Sequence, residues 1–374
     1  FFSGELVWRD RGSHINEVID TTPHNSLISL AAKTLSLICL SSILNFLFIL
    51  ISVLYQLANG YTNFEIGVYL QDYLFSSLPT YIIWSAVLIF IQVLINSKYI
   101  AYFVSIIMLF FTGILMLIFD WQSHLINLGS SPSYMYSDMN GFGAALESSN
   151  WFNLYWILFG LVLLSLAGLI WVRGVTNGFK NRIKSAKKHF TKSYATTLLL
   201  LLVIWASCGG YVYYNTKVLN TYKTSDEIEQ GRVDYEKKYK KYQGIAQPKI
   251  TDAKYFINVY PEKRNVLAVS GLVLQNKSNQ PIDSLHYTID EDWNMKLNIK
   301  NAELVFEDKD LGYLIYKLNK PLLPKEKMVL IVEASYITKG FENNVSNTSV
   351  AKNGTFINNF SILPSIGYNE GYEI

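Results

Sequence analysis

The sequence predicts a multi-domain protein: an α-helical transmembrane bundle of five spans, then a helical stalk and an all-β, sandwich-like domain. Three observations carry that expectation. Charge-free apolar runs of about 20 residues, the length a bilayer core requires, recur through the first 215 positions and then stop. A basic segment from 173 to 192 holds seven Lys or Arg and no acid, immediately ahead of the last such run. Beyond 249 the apolar period shortens to two, in short runs separated by turn residues.

Composition agrees with a split chain. Half of the 374 residues are hydrophobic and 16% are charged, against about 25% in an ordinary soluble protein. The net charge of +3 is too small to indicate a nucleic-acid partner, and the basic segment accounts for it. Cys39 and Cys208 both lie in apolar runs and the last third has no cysteine, so neither a disulfide framework nor a cysteine metal site is expected. The chain begins at Phe1 with no initiator Met and no cleavable signal pattern, and it is expected to be the central part of a longer protein.

Residues 1–33 are expected to form a cytoplasmic amphipathic segment. Ile15, Val18 and Ile19 share one helical face, with charges around them, as suits a helix lying on a membrane. Such a helix either anchors the first span or meets a cytoplasmic partner. Glu5, Arg9, Arg11 and Glu17 are the candidate coupling residues. The membrane domain, 34–214, holds apolar runs at 34–57, 78–95, 99–119, 151–171 and 193–216, with Pro79 marking the start of the second and 61–77 read as a loop.

The loops set the topology. Glu65 and Asp72 in 61–77, and Asp120, Asp138 and Glu147 in 120–150, have no basic residue beside them. Lys98 occupies a tight turn, and the basic loop carries Arg173, Lys180, Arg182, Lys184, Lys187, Lys188 and Lys192. Basic residues flanking spans stay in the cytoplasm, so the amino-terminal segment and this loop are expected inside and everything past 214 outside. Trp121, Trp151, Tyr155, Trp156, Tyr211, Tyr213 and Tyr214 fall at the expected outer ends, where aromatic belts sit. No span carries a charge at its centre, which argues against a proton-coupled carrier or an ion pump. Asn45 is expected to hydrogen-bond a neighbouring helix, and Ser207, Gly209 and Gly210 permit close packing without naming a partner. The loop 120–150 is too long for a simple connection and its aromatics favour an ordered outer cap.

Residues 215–245 read as a helical stalk. Thr224-Ser-Asp-Glu227 has the form of a capping box; Ile228, Tyr235, Tyr239 and Tyr242 fall on one stripe, and Asp234–Lys238 and Glu236–Lys240 are i,i+4 pairs. Residues 246–374 form the β domain, with strand-like runs at 255–259, 266–274, 284–289, 295–299, 302–306, 314–318 and 328–334. Five Asn-x-Ser/Thr triplets are read as chance in an Asn-rich chain.

Motifs for catalysis are missing. His14, His24, His124, His189 and His286 are scattered over separate loops, and no H-E-x-x-H, phosphate loop or G-x-S-x-G occurs. The run Asp290-Glu-Asp292 reads as a strand-end turn rather than a cation site. No catalytic and no metal-binding residue is assigned.

Several phrases nevertheless resemble one bacterial family: fusions of an ABC-2-type permease region with an extracytoplasmic M1-family (gluzincin) aminopeptidase. Phe2-Ser-Gly-Glu-Leu-Val-Trp-Arg-Asp-Arg and Ile15-Asn-Glu-Val-Ile-Asp-Thr-Thr-Pro are similar to the cytoplasmic segment before the later permease spans, and Tyr136-Ser-Asp-Met-Asn-Gly-Phe-Gly to an outer loop of that region. Val259-Tyr-Pro-Glu-Lys-Arg, Gly271-Leu-Val-Leu-Gln-Asn-Lys-Ser, Pro281-Ile-Asp-Ser-Leu and Asn358-Asn-Phe-Ser-Ile-Leu-Pro-Ser-Ile-Gly-Tyr-Asn resemble the β-rich N-terminal domain of gluzincin peptidases.

The resemblance implies a multi-pass protein of the bacterial inner membrane with a periplasmic β domain. It also implies a downstream catalytic domain in the parent that would bind zinc. The family's zinc and exopeptidase motifs would lie past Ile374, so no cofactor belongs to this chain and no catalytic residue transfers onto it. Two other readings stay open: an exporter permease that pairs with a separate cytoplasmic ABC ATPase, and a non-catalytic binding module on a membrane anchor.

Overall fold

The computed structural model describes residues 2–22, 25–95, 97–119, 122–171, 182–184, 186, 187, 190–344 and 349–374. It divides into two compact units, Phe1–Ser133 with Ala145–Val218, and Tyr134–Ala144 with Leu219–Ile374.

The first unit is helical. A short α1 (Phe2–Gly12) and α2 (Ile15–Ile19) precede α3 (Ser26–Ala58). Next come α4 (Ile66–Asp72), α5 (Leu78–Leu94), α6 (Lys98–Phe119), α7 (Ala145–Ile170) and α8 (Lys192–Tyr213). Among the described residues, four helical stretches are long and apolar enough to cross a bilayer: Ser26–Ala58, Ile66–Leu94, Ala145–Ile170 and Lys192–Leu219. The apolar α6 accompanies them. Side chains such as Phe48 and Phe110, about 70% exposed, give this unit the apolar outer surface that membrane insertion requires.

Two boundaries differ from the sequence expectation. Helix α3 starts at Ser26, capped by the Asn25 side chain on the Leu27 amide, so Lys33 falls inside it. The lysine is tolerated there because its ammonium reaches Asp10 at 2.6 Å and the Leu6 carbonyl. Most of the expected loop 61–77 is helical: α4 runs through a π-turn, Tyr73–Ser77, directly into α5. Pro79 marks a change of helical register rather than a start.

Pro79 has no N–H to give the Phe75 carbonyl one turn earlier. The Asn153 amide of α7 donates to that carbonyl instead, at 3.0 Å, and the Thr80 hydroxyl donates to the Ser76 carbonyl at 2.9 Å. A broken helix is tolerated in an apolar body when side chains of this kind re-satisfy its backbone. Asn45 does bridge helices, its amide donating to the Tyr81 hydroxyl at 3.1 Å and to Ser77 at 3.3 Å. The close approach left open by the sequence is made by Gly209, where a Cβ would stand 2.9 Å from the Tyr155 ring of α7.

The second unit is mainly antiparallel β-sheet. Strands β1 (Lys249–Tyr260), β2 (Asn265–Gln275), β3 (Ile282–Thr288), β4 (Asn294–Ile299), β5 (Ala302–Asp308), β6 (Tyr313–Leu322) and β7 (Lys327–Tyr336) take in the seven strand-like runs, the third overrunning β3 by one residue. A small hairpin, β8 (Val350–Ala351) and β9 (Gly354–Thr355), and β10 (Ser365–Ile366) complete the set. The sheets order as β1-β2-β7-β4 and β10-β3-β6-β5. Alternate residues point inward, so Val266, Ala268, Leu272 and Leu274 of β2 meet Leu285, Tyr287, Leu314 and Leu318 of the other sheet in one apolar cluster. The loop residues Tyr134–Ala144 group with this unit, where the Met139 carbonyl accepts the Asn353 amide at 2.7 Å.

The expected stalk, α9 (Ser225–Tyr239), is built into the second unit. Its capping box forms, with the Thr224 hydroxyl accepting from the Glu227 amide and the Glu227 carboxylate from the Thr224 amide. Of its stripe, Tyr235 and Tyr239 are buried, Tyr242 packs beside them, and Ile228 is exposed. Tyr239 stacks on Tyr313 of β6 with ring centroids 4.0 Å apart, and Tyr235 on Tyr368 at 5.2 Å. Each such pair contributes about 0.5–1.5 kcal/mol beyond its buried area. The Tyr239 hydroxyl donates to Asp308 at 2.5 Å, and Glu236 pairs with Lys240 at 2.6 Å. Lys238 turns to Asp308 at 3.3 Å instead of to Asp234. A short apolar helix–sheet seam is thus fastened by phenol stacking, with one carboxylate collecting two donors.

Two outcomes follow from these contacts. Replacing Asn153 by Leu should cost about 1–2 kcal/mol of stability in detergent by orphaning the Phe75 carbonyl. That penalty should shrink in a Pro79→Ala background, where the backbone regains its own donor; equal penalties in both backgrounds of the double-mutant cycle would refute the pairing.

The second concerns Asp308. Burial alone would raise this carboxyl, but the Tyr239 hydroxyl, the Leu311 amide and Lys238 outweigh it and hold Asp308 below its ordinary range. A carboxyl depressed in the folded state stabilises above its unfolded pKa, and that stability is lost as pH falls through the folded value. Protection of the Ser225–Tyr239 amides against hydrogen exchange should therefore decline below about pH 4. Asp308→Asn should weaken the protection at neutral pH and flatten the decline; an unchanged pH profile would contradict it.

Candidate functional site

The described Lys and Arg residues of the helical unit, Lys217 apart, gather where α3, α6 and α8 begin and α5 and α7 end. The tie points are Lys33 to Asp10, Trp8 to Gln92, Lys98 to Glu5, and the Tyr194 hydroxyl to the Ser165 carbonyl. Helix α1 closes this end. Its Val7 packs into a cluster with Leu30, Leu37, Ile89, Val93 and Ala167, and Gly4 is required where a Cβ would meet the Tyr102 ring at 2.1 Å. The Trp8 indole donates to the Gln92 carbonyl oxygen at 3.1 Å, giving a fully buried glutamine its partner inside an apolar run.

The four candidate coupling residues divide. Glu5 accepts from Lys98 at 2.5 Å and from the Tyr102 hydroxyl at 3.3 Å; the Lys98 hydrogen bond holds its carboxyl below the usual value. Arg11 lies over the rings of Trp8 at 5.1 Å and Trp171 at 5.8 Å. Burial, and next the charge of Arg182, pull its guanidinium below the ordinary range. Arg9 and Glu17 are exposed, Glu17 beside His14 at 3.2 Å. The face formed by Ile15, Val18 and Ile19 is exposed as well.

Of the basic loop, Arg173, Lys180 and Lys188 lie outside the described residues, while Lys184, Lys187 and Lys192 are exposed. Arg182 is the exception: it is only 4% exposed. Its guanidinium donates to the Leu94 carbonyl at 3.1 Å, the Ile170 carbonyl at 3.1 Å and the Val93 carbonyl. The last carbonyls of a helix lack intrahelical partners and carry its negative dipole end. One planar fork therefore satisfies the ends of α5 and α7 together, a task that suits Arg and not Lys. The sequence identified Arg182 as a topology signal only; nothing in its spacing distinguishes it from its basic neighbours. Asp10, Lys33 and Gln92 were not selected from sequence, although Gln92 and Lys33 interrupt apolar stretches and so carried a signal.

His286, Asp290 and Glu291 of the second unit have structural partners. His286 sits between the Tyr313 hydroxyl at 3.0 Å and Ser284 at 3.1 Å, and burial lowers its pKa, keeping it neutral. Asp290 accepts the Asp292 amide at 3.0 Å, forming the turn expected there, and Glu291 pairs with Lys223. Among the described residues no three of His, Cys, Asp and Glu come together as a metal site would require. The arrangement at the basic end supplies fixed charge and a helix junction whose last carbonyls accept from Arg182.

Arg182→Met should cost about 2–3 kcal/mol in thermal unfolding of the detergent-solubilised chain, since charged hydrogen bonds to buried carbonyls are lost. Arg182→Lys should recover part of this and Lys187→Gln should change stability by less than about 0.5 kcal/mol. Equal effects at 182 and 187 would show that the fork has no special role.

No family model matches the chain, and comparison with curated proteins finds no match.

Proposed function

We propose that this chain is the membrane-anchored part of an ABC-2-type permease and gluzincin aminopeptidase fusion, displaying a peptidase-supporting β domain outside the bacterial inner membrane. The observation that carries the reading is charge segregation. Arg9, Arg11, Lys33, Lys98, Arg182, Lys184, Lys187 and Lys192 belong to one end of the helical unit, together with the acids Glu5, Asp10, Glu17 and Asp20, while Glu65, Glu147 and a single lysine, Lys217, belong to the other. By the positive-inside rule the first end is cytoplasmic. With α6 as the fifth span, α8 then leads outward to the β unit. Two four-stranded antiparallel sheets around a shared core support reading that unit as the sandwich-like domain on which a gluzincin catalytic domain would rest.

In this reading the anchor contributes no chemistry of its own. Zinc and the catalytic residues belong to the parent's downstream domain. Because Glu5 and Arg11 are engaged within the unit, Arg9 and Glu17 are what the amino-terminal segment offers a separate cytoplasmic ATPase, the partner of the exporter alternative.

The test combines side and activity. In a chain whose native cysteines are replaced by serine, Ser335→Cys should react with a membrane-impermeant maleimide in intact cells with a permeable outer envelope, and Lys184→Cys only after lysis. The full-length protein should release an aminoacyl reporter in a zinc-dependent manner. The reverse labelling pattern overturns the orientation, and absence of zinc-dependent release overturns the peptidase assignment.

A further inference from the structure

Beside the Arg182 junction lies an apolar groove of about 460 Å³, within the roughly 300–1,000 Å³ typical of small-molecule sites. Its floor is formed by Phe90 and Leu94 at the end of α5 and by Leu166 and Ile170 at the end of α7. Ala186 leaves the cleft open. Ile183 and Phe190 line it while remaining 42% and 50% exposed. Among the described lining residues the charged one is Lys187; Lys184, one helical turn earlier, is exposed too.

We infer that this groove binds an anionic phospholipid, one acyl chain lying in the cleft and the phosphate against Lys187 and Lys184. The inference rests on the membrane reading above. Two observations select the occupant. The carbonyls that border the cleft, those of Leu94 and Ile170, already accept from Arg182, so the cleft offers a guest little to hydrogen-bond with. A peptide segment would bring amides that go unpaired there, whereas an acyl chain brings none.

The second observation is charge. Among the described residues no acid lines the groove, and Glu5 and Asp10 at the same end of the unit are each held by a lysine elsewhere. The described lining therefore carries positive charge at the mouth, and each lysine near the surface favours an anionic headgroup about fivefold. Arg182 does not contribute to the headgroup. It fixes the residues that wall the site, which is why the groove exists where two helix ends would otherwise splay.

The full chain, reconstituted in vesicles of equal phosphatidylglycerol and phosphatidylcholine and examined by native mass spectrometry, should retain phosphatidylglycerol preferentially. Lys184→Gln with Lys187→Gln should reduce that retention about ten- to thirtyfold. Ala186→Trp, or Leu166→Phe if the first fails to fold, should abolish it with thermal unfolding otherwise preserved. Lys217→Gln, in the turn Tyr214–Leu219 beyond the end of α8, should leave it unchanged. Equal retention of the two lipids, or native retention in the filled-groove variants, overturns the site. Alkaline carbonate extraction separates this from failure of the membrane reading: a chain washed off the membrane overturns both, and a chain that stays without lipid preference overturns the groove alone.

Discussion

In an apolar helical body, a backbone carbonyl that loses its partner in the helix must find another, because no water is at hand to replace it. That constraint shapes the first unit. It accounts for the buried arginine at the meeting of α5 and α7, where Arg182 serves three carbonyls from two helices. It accounts equally for Asn153, whose amide takes the Phe75 carbonyl that Pro79 leaves behind. Each of these polar side chains is buried, and each is tolerated because it satisfies a group that would otherwise stay bare.

The same constraint explains how one end of the unit becomes both sealed and charged. Helix α1 places Trp8 on Gln92, Glu5 on Lys98 and Asp10 on Lys33, so two acids of this end are neutralised by lysines of α6 and α3. The exposed lysines after Arg182 have no such counterweight among the described residues that line the adjoining groove. Surface pairs of this kind contribute little to stability individually; their consequence is where net charge is left over.

The second unit obeys a different rule. Its sheets alternate inward and outward residues over a shared core, and its helix is held by aromatic stacking instead of by long apolar contact. Tyr235 and Tyr239 do for α9 what a leucine stripe does elsewhere, with hydroxyls that reach Thr288 and Asp308. His286, also buried there, is fixed by Tyr313 and Ser284.

The sequence by itself determined what depends on local pattern. Apolar run length located the long helices but missed α4 and the start of α3, period-two alternation found the seven long strands with β1 begun six residues late, and Thr224–Glu227 announced the cap of α9. Tertiary structure alone decided what depends on which distant groups meet. Pro79 read locally as a helix start, yet Asn153, 78 positions from Phe75, lets the helix continue through it. Arg182 read as one cation among seven, yet carbonyls 88 and 89 residues away draw it inside. The stalk read as a connector, yet Tyr313 lies across a separate strand to receive it. Local periodicity carries backbone hydrogen bonding and side-chain facing, both set within a turn or two of chain; the satisfaction of a buried polar atom is a long-range matter, and no spacing along the chain records its partner.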